Sequence, residues 1–164
     1  GRDCALSLIQ RQDDFGVHNV HMAGRYWRQY VDRGRELGAK MPHNSYIELK
    51  YEDLLQNPKE TMKKLMGFLS EEYDENLIDF KKSTDPNSKT PLVSRGITAS
   101  NKEKWRKAMT RWQIRVFESA AGETLADSGY KLDTSKVELP IAVRGAYRLH
   151  NYFTRKLRRK LLHR

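Results

Sequence analysis

Apolar and polar positions along this chain alternate mostly with helical spacing. Residues 4–13 predict a first helix, with Asp3 at its start as the N-cap, because a carboxylate there can accept from first-turn amides. Residues 19–38 predict a second helix: Ala23, Trp27, Tyr30 and Val31 recur at three- and four-residue spacing, Arg25, Arg28, Asp32 and Arg35 fill the other side, and Gly38 suits the stop. In "NSYIELKYEDL", Tyr46, Ile47 and Leu49 give the clearest strand. A sharp helix start follows in "QNPKETMKKLMGFL", where Asn57 can cap, Pro58 fits the first helical position and Glu60 stands as a capping-box acid. Met62, Leu65, Met66 and Leu69 form a stripe read as core.

"EEYDENLIDFKK" suggests a short helix, and "STDPNSKTPLVSRGITASN" is a long loop with two prolines. A loop of that length is often functional. "KEKWRKAM" and "TRWQIRVFESAAGETLADSGY" are helical, the second with Ile114, Phe117, Ala121 and Leu125 inward. After "DTSKVELP" a basic helix occupies the tail. A lone strand must belong to a larger sheet. The class is therefore α/β, mostly helical here with one clear strand, and the pattern reads as a C-terminal half whose partner strands precede Gly1.

The chain's 164 residues suffice for one core, and its 32% charged and 38% hydrophobic content is wetter than average without reaching disorder. Cys4 is the single cysteine and the five histidines are scattered, which argues against a disulfide framework or a metal cluster. The net charge of +10 sits in one place: residues 141–164 hold eight Lys or Arg and no acid. The body over 1–140 is nearly neutral, so the whole domain is not built for nucleic acid. No stretch is long and apolar enough to span a bilayer, and no N-x-[ST] sequon occurs. The balance favours a cytoplasmic protein, with an anchor upstream of Gly1 left open.

Three stretches carry candidate chemistry. Ser7 and Arg11 share a face of the first helix, behind an N-terminus that suits phosphate. Tyr51 stands at the carboxyl end of the strand, where α/β sheets bind ligands. In "SRGITASNKEKW", Ser94 precedes Arg95, a forked donor, Gly96 permits close backbone approach, Lys104 adds a charge, and Trp105 can anchor the next helix. Each has an ordinary alternative: a solvated helix face, an aromatic closing a strand, a basic surface loop.

In this order the three resemble the C-terminal half of the PAPS-dependent sulfotransferases, on a P-loop-nucleotide-kinase-like fold, nearest to the branch of tyrosylprotein sulfotransferases and related bacterial enzymes. "GRDCALS" is similar to the family's "RDGR" or "RDPRD" motif from its third position onward, and "YEDL…NP…FL", the "KW" helix and "LADSGY" extend the likeness over about residues 1–130. The resemblance implies a sulfotransferase that moves a sulfuryl group from PAPS to a hydroxyl of a glycan, peptide tyrosine or small molecule, without a metal. It implies Ser7 and Arg11 on the nucleotide's 3′-phosphate, Tyr51 near the adenosine, and Ser94, Arg95 and Gly96 in a closing loop with Lys104. The family's 5′-phosphosulfate loop of Pro-x-Ser-Gly-Thr type is absent, as is G-x-x-x-x-G-K-[ST]. The general base and a sulfuryl-side lysine also belong to the other half, so no catalytic residue is expected here and this piece alone should be inactive. The implied organisation is residues 1–132 as the C-terminal half of the sulfotransferase domain and 133–164 as linker plus basic amphipathic helix.

The competing reading is a non-catalytic binding module centred on that tail. "RGAYRLHNYFTRKLRRKLLHR" interleaves cations with Tyr147, Leu149, Tyr152, Phe153, Leu157, Leu161 and Leu162. Such a helix suits an anionic membrane surface; nucleic acid, an acidic substrate, or simple packing with a solvated face are the alternatives, nucleic acid being disfavoured by the neutral body.

Overall fold

In a computed structural model, residues 1–11, 16–78, 97, 102–135 and 138–162 are described. They form seven α-helices in chain order: α1 (Arg2–Arg11), α2 (Val20–Gly38), α3 (Tyr51–Gln56), α4 (Pro58–Leu69), α5 (Trp105–Ala108), α6 (Arg111–Asp127) and α7 (Ile141–Leu162), with a 3-10 turn at Glu75–Leu77 between α4 and α5. The chain divides into two compact units, residues 1–36 with 103–164, and residues 37–102.

The first unit is built on α6, whose Val116, Phe117 and Leu125 are the largest fully buried side chains. Ile114, Phe117, Ala121 and Leu125 face inward as their spacing requires. Around them pack Ala5 and Leu8 of α1, Val20 and Ala23 of α2, Trp105, Met109 and Leu139. The inward face of α2 centres on Gly24, not on Tyr30. A Cβ at Gly24 would lie 3.1 Å from both the Phe117 carbonyl and the Ala120 Cβ, so this glycine lets the two helices approach closely. Tyr30 therefore falls outside the contact face, 63% exposed, stacked at 4.5 Å on Tyr26.

Both ends of α6 are closed by local bonds. Thr110 accepts from Gln113 N while the Gln113 side chain accepts from Thr110 N, a complete capping box. At the other end Gly129, at φ +73°, allows the Tyr130 amide to reach the Leu125 carbonyl and its own amide to reach Ala126, the paired bonds of a Schellman stop. Thr110→Ala should cost about 1 kcal/mol of stability, read by urea denaturation; an unchanged midpoint would mean that water replaces the box.

The second unit contains α3 and α4, packed on one another, with Leu55 and Thr61 buried. The expected strand over 46–50 is not formed among the described residues. Lys50 is extended, at φ −82° and ψ 133°, but a strand exists only when a neighbour completes its ladder. Tyr46 instead lies against the backbone of Gly38, where a Cβ would collide with the ring, and its hydroxyl donates to Glu48 at 2.7 Å. Gly38 thus ends α2 and also makes room for that ring.

Pro58 holds the first position of α4 as expected, but Asn57 does not cap with its side chain. Asn57 also terminates α3, and its φ of −131° with ψ of 62° is not the extended geometry a capping side chain needs. Glu60 pairs with Lys63 at 3.4 Å instead of closing a box. The α4 stripe is only partly core: Met62, Leu65 and Met66 are half-buried, while Leu69, in the last turn and beyond the short α3, is 50% exposed.

Candidate functional site

The helix α1 begins at Arg2, two residues earlier than the apolar pattern implies, and this changes the role of Asp3. Inside the first turn its carboxylate is not an N-cap for α1. One oxygen accepts from the Glu103 amide at 2.7 Å and the other from the Trp105 amide at 2.9 Å. Asp3 therefore caps α5 from a helix a hundred residues away in sequence. The turn it holds is tight, because Glu103 sits in the left-handed region at φ +55°. Lys104 lies between the two tethered amides and is exposed.

Arg2 anchors the same junction from beneath. Its guanidinium is buried, forms an ion pair with Glu118 of α6, and donates to the Lys131 carbonyl at 2.7 Å. It lies 4.4 Å from the centre of the Trp105 ring, as does the guanidinium of Arg106. Glu118 accepts further bonds from the Asp133 amide at 3.0 Å, the Thr134 amide at 2.9 Å and the Thr134 hydroxyl. Burial pushes the Glu118 carboxyl up, but the bonds from Thr134, Asp133 and Arg2 together bring it below its ordinary value.

The face of α1 turned away from the core is exposed. Ala5 and Leu8 face the core, while Ser7 and Arg11, four residues apart, are both exposed on the outer side. A rise of about 1.5 Å per residue places them roughly one and two turns beyond Asp3. The first unit thus carries Ser7, Arg11 and Lys104 on a single scaffold, with Lys104 tied to α1 through Asp3. A hydroxyl, a forked guanidinium and an ammonium are a donor set suited to phosphate oxygens.

Tyr51 belongs to the second unit, at the first position of α3, 52% exposed. It follows an extended stretch, as the sequence suggests, but that stretch is not a paired strand, and the short helix that Tyr51 opens is not among the expected elements. Ser94, Arg95 and Gly96 lie outside the described residues, as does most of the loop that contains them. Among the described residues no cluster of His, Cys, Asp and Glu could hold a metal ion, and no helix is long and apolar enough to cross a membrane.

Two participants in this junction, Arg2 and Glu118, carry no expected role from the sequence. Glu118 stands on the α6 stripe between Ile114 and Ala121, and an acid on an apolar face is itself a signal of a buried partner. Asp3 was singled out, but its distant receiver was not.

A sulfotransferase-domain family model matches residues 7–129. That span covers three quarters of the chain and takes in Ser7, Arg11, Tyr51, Lys104 and the Gly129 stop. The chain is a member of the sulfotransferase family. The sulfotransferase match favours the enzyme reading over a purely non-catalytic binding module, and it ends before α7 begins at Ile141. A search of curated proteins returns no match.

Proposed function

We propose that this sulfotransferase uses PAPS as donor, that the described chain holds the 3′-phosphate and adenosine side of the nucleotide, and that the acceptor is a hydroxyl. The observation that supports the reading most is the shared exposure of Ser7 and Arg11 on α1, with Lys104 fastened to the same helix by Asp3. PAPS, when bound, supplies the sulfuryl group and departs as 3′,5′-ADP.

On this reading Ser7 donates its hydroxyl and Arg11 its guanidinium to the 3′-phosphate, the group that separates PAPS from ordinary adenine nucleotides. Lys104 adds positive charge beside the departing nucleotide, where fixed donors lower the barrier without reorganising. Tyr51 is assigned to the adenosine, and Ser94, Arg95 and Gly96 to a closing loop, on the family pattern alone. Residues of this chain bind and orient; none is assigned a proton transfer. The P-loop-like α/β architecture belongs to the same proposal.

Calorimetric titration with 3′,5′-ADP and 5′-AMP tests it. The 3′-phosphorylated ligand should bind more tightly, and Arg11→Ala should weaken it alone by about 1.5–3 kcal/mol, the worth of a charge-assisted bond. Equal affinity for the two nucleotides would overturn the assignment of Ser7 and Arg11.

A further inference from the structure

We propose that α7 is an interfacial helix by which this sulfotransferase lies on an anionic lipid surface, with the row Leu149, Phe153, Leu157 and Leu161 facing the acyl chains. The inference does not depend on the nucleotide assignment above.

One side of α7 is committed to the first unit. Val143 and Tyr147 pack on its core, and the Tyr147 carbonyl accepts from Asn19 Nδ2 at 2.9 Å. Buried Asn151 accepts from the His18 amide and donates to the Gly16 carbonyl, each at 2.8 Å. These bonds fix which side of the helix faces outward. Residues 149, 153, 157 and 161 are spaced by four, so they run as one row along another flank. They are 57%, 56%, 61% and 64% exposed, and Tyr152 beside them is 58% exposed, edge-on to Phe153 at 5.5 Å. Four large apolar side chains aligned at that exposure are not scattered surface residues.

Charge says what covers them. Tyr152, Lys156 and Lys160, three residues on from Leu149, Phe153 and Leu157, form the neighbouring row, Arg155 and Arg159 lie further round the helix, and no acidic residue occurs in 141–164. A shallow cleft of about 560 Å³ is lined by Tyr152, Arg155, Lys156, Arg159 and Lys160, a cationic and aromatic lining suited to phosphate headgroups. A duplex would engage the cations and leave the apolar row in water. An anionic bilayer interface engages both at once: headgroups meet the Lys and Arg, and the row enters the acyl boundary. The helix is too polar to cross the bilayer, which leaves the surface as its place.

The test is sedimentation of the full chain with vesicles of pure phosphatidylcholine and of phosphatidylcholine with 30% phosphatidylserine. Binding should require the anionic lipid and weaken as salt rises, with each Lys or Arg near the surface contributing about five-fold. The double variant F153S/L157S changes only exposed positions, so it should keep the wild-type melting temperature and lose anionic-vesicle binding at least ten-fold. R155S/R159S should bind about 25-fold more weakly at low salt. No binding of the wild type to anionic vesicles overturns the proposal. So does binding that F153S/L157S leaves intact, or binding to duplex DNA in preference to vesicles. Affinity for 3′,5′-ADP, measured on the same variants, should stay at its wild-type value.

Discussion

Glu118→Met should destabilise this chain by about 3–5 kcal/mol, the range for breaking a buried ion pair from one side. In a chain of this size each kcal/mol moves the melting temperature by roughly 2–4 °C, so a fall of roughly 6–20 °C is expected in a thermal melt. The size follows from what is orphaned. Without the carboxylate, the buried Arg2 guanidinium keeps, among the described residues, the Lys131 carbonyl and the Trp105 ring, and the Asp133 and Thr134 amides lose their acceptor. Arg2→Met should cost less, because Glu118 would still hold both amides and the Thr134 hydroxyl. Equal costs for the two variants would show that the amides find other acceptors and that the pair alone matters. The pH dependence has a defined sign. The folded-state carboxyl lies below its ordinary value, so the stabilisation is complete above the unfolded pKa of about 4.5 and is lost as pH falls through the depressed folded value.

The same residues show where sequence pattern stops being informative. Helical periodicity is a local quantity, and it located α2, α4 and α6 to within about three residues because each carries apolar positions spaced by three and four, even where, as in α4, they are only half-buried. It also put Ser7 and Arg11 on one exposed face, which needs nothing beyond the helix itself. Capping was harder. Asp3 satisfied the local rule for an N-cap, yet its oxygens go to Glu103 and Trp105, and no rule of neighbours within one helix can find an acceptor's partner a hundred residues away. The complete box at Thr110 and Gln113 follows the S/T-x-x-E/Q pattern, while Asn57 and Glu60, with Asn in place of the hydroxyl residue, form no box.

The strand failed for a different reason. Propensity reports that Tyr46, Ile47 and Leu49 suit a pleated surface, but pairing is supplied by another segment, and among the described residues none lies alongside. Lys104 illustrates the limit for the candidate site. Its residue type and its place before Trp105 were readable; its attachment to the helix of Ser7 and Arg11 depends on Asp3 reaching across the fold.

Acidification should weaken the docking of α7 before it unfolds the rest, and His21 is the reason. The imidazole is 3% exposed, and neither ring nitrogen has a hydrogen-bond partner among the described residues. It lies against Tyr147 of α7, ring centres 5.7 Å apart, with Arg25 of α2 and Arg148 and Arg144 of α7 around it. Burial first, then those three cations, push its pKa down to about 4. The neutral ring is therefore what the fold accepts. Above about pH 6.5 both folded and unfolded chains hold it neutral and it contributes no pH dependence. Between about 6.5 and 4 the unfolded state binds a proton that the folded state refuses, so stability falls as pH falls, by about 2.5 kcal/mol at pH 4.5 and about 3 kcal/mol in the limit. His18 is lowered in the same direction by burial, Arg158, His150 and Arg155, so the measurement must be a difference. Urea denaturation of the wild type and of His21→Phe, from pH 7.5 to 4.5, isolates the His21 contribution. The variant keeps an aromatic ring against Tyr147 and cannot titrate, so its stability should decline less steeply, by about 2.5 kcal/mol over that window. Trp112, whose ring nitrogen donates to the Tyr147 hydroxyl at 3.1 Å, reports the docking itself. Its fluorescence should shift ahead of the global transition in the wild type and together with it in the variant. Parallel pH curves for the two proteins would show that His21 is not the group that titrates.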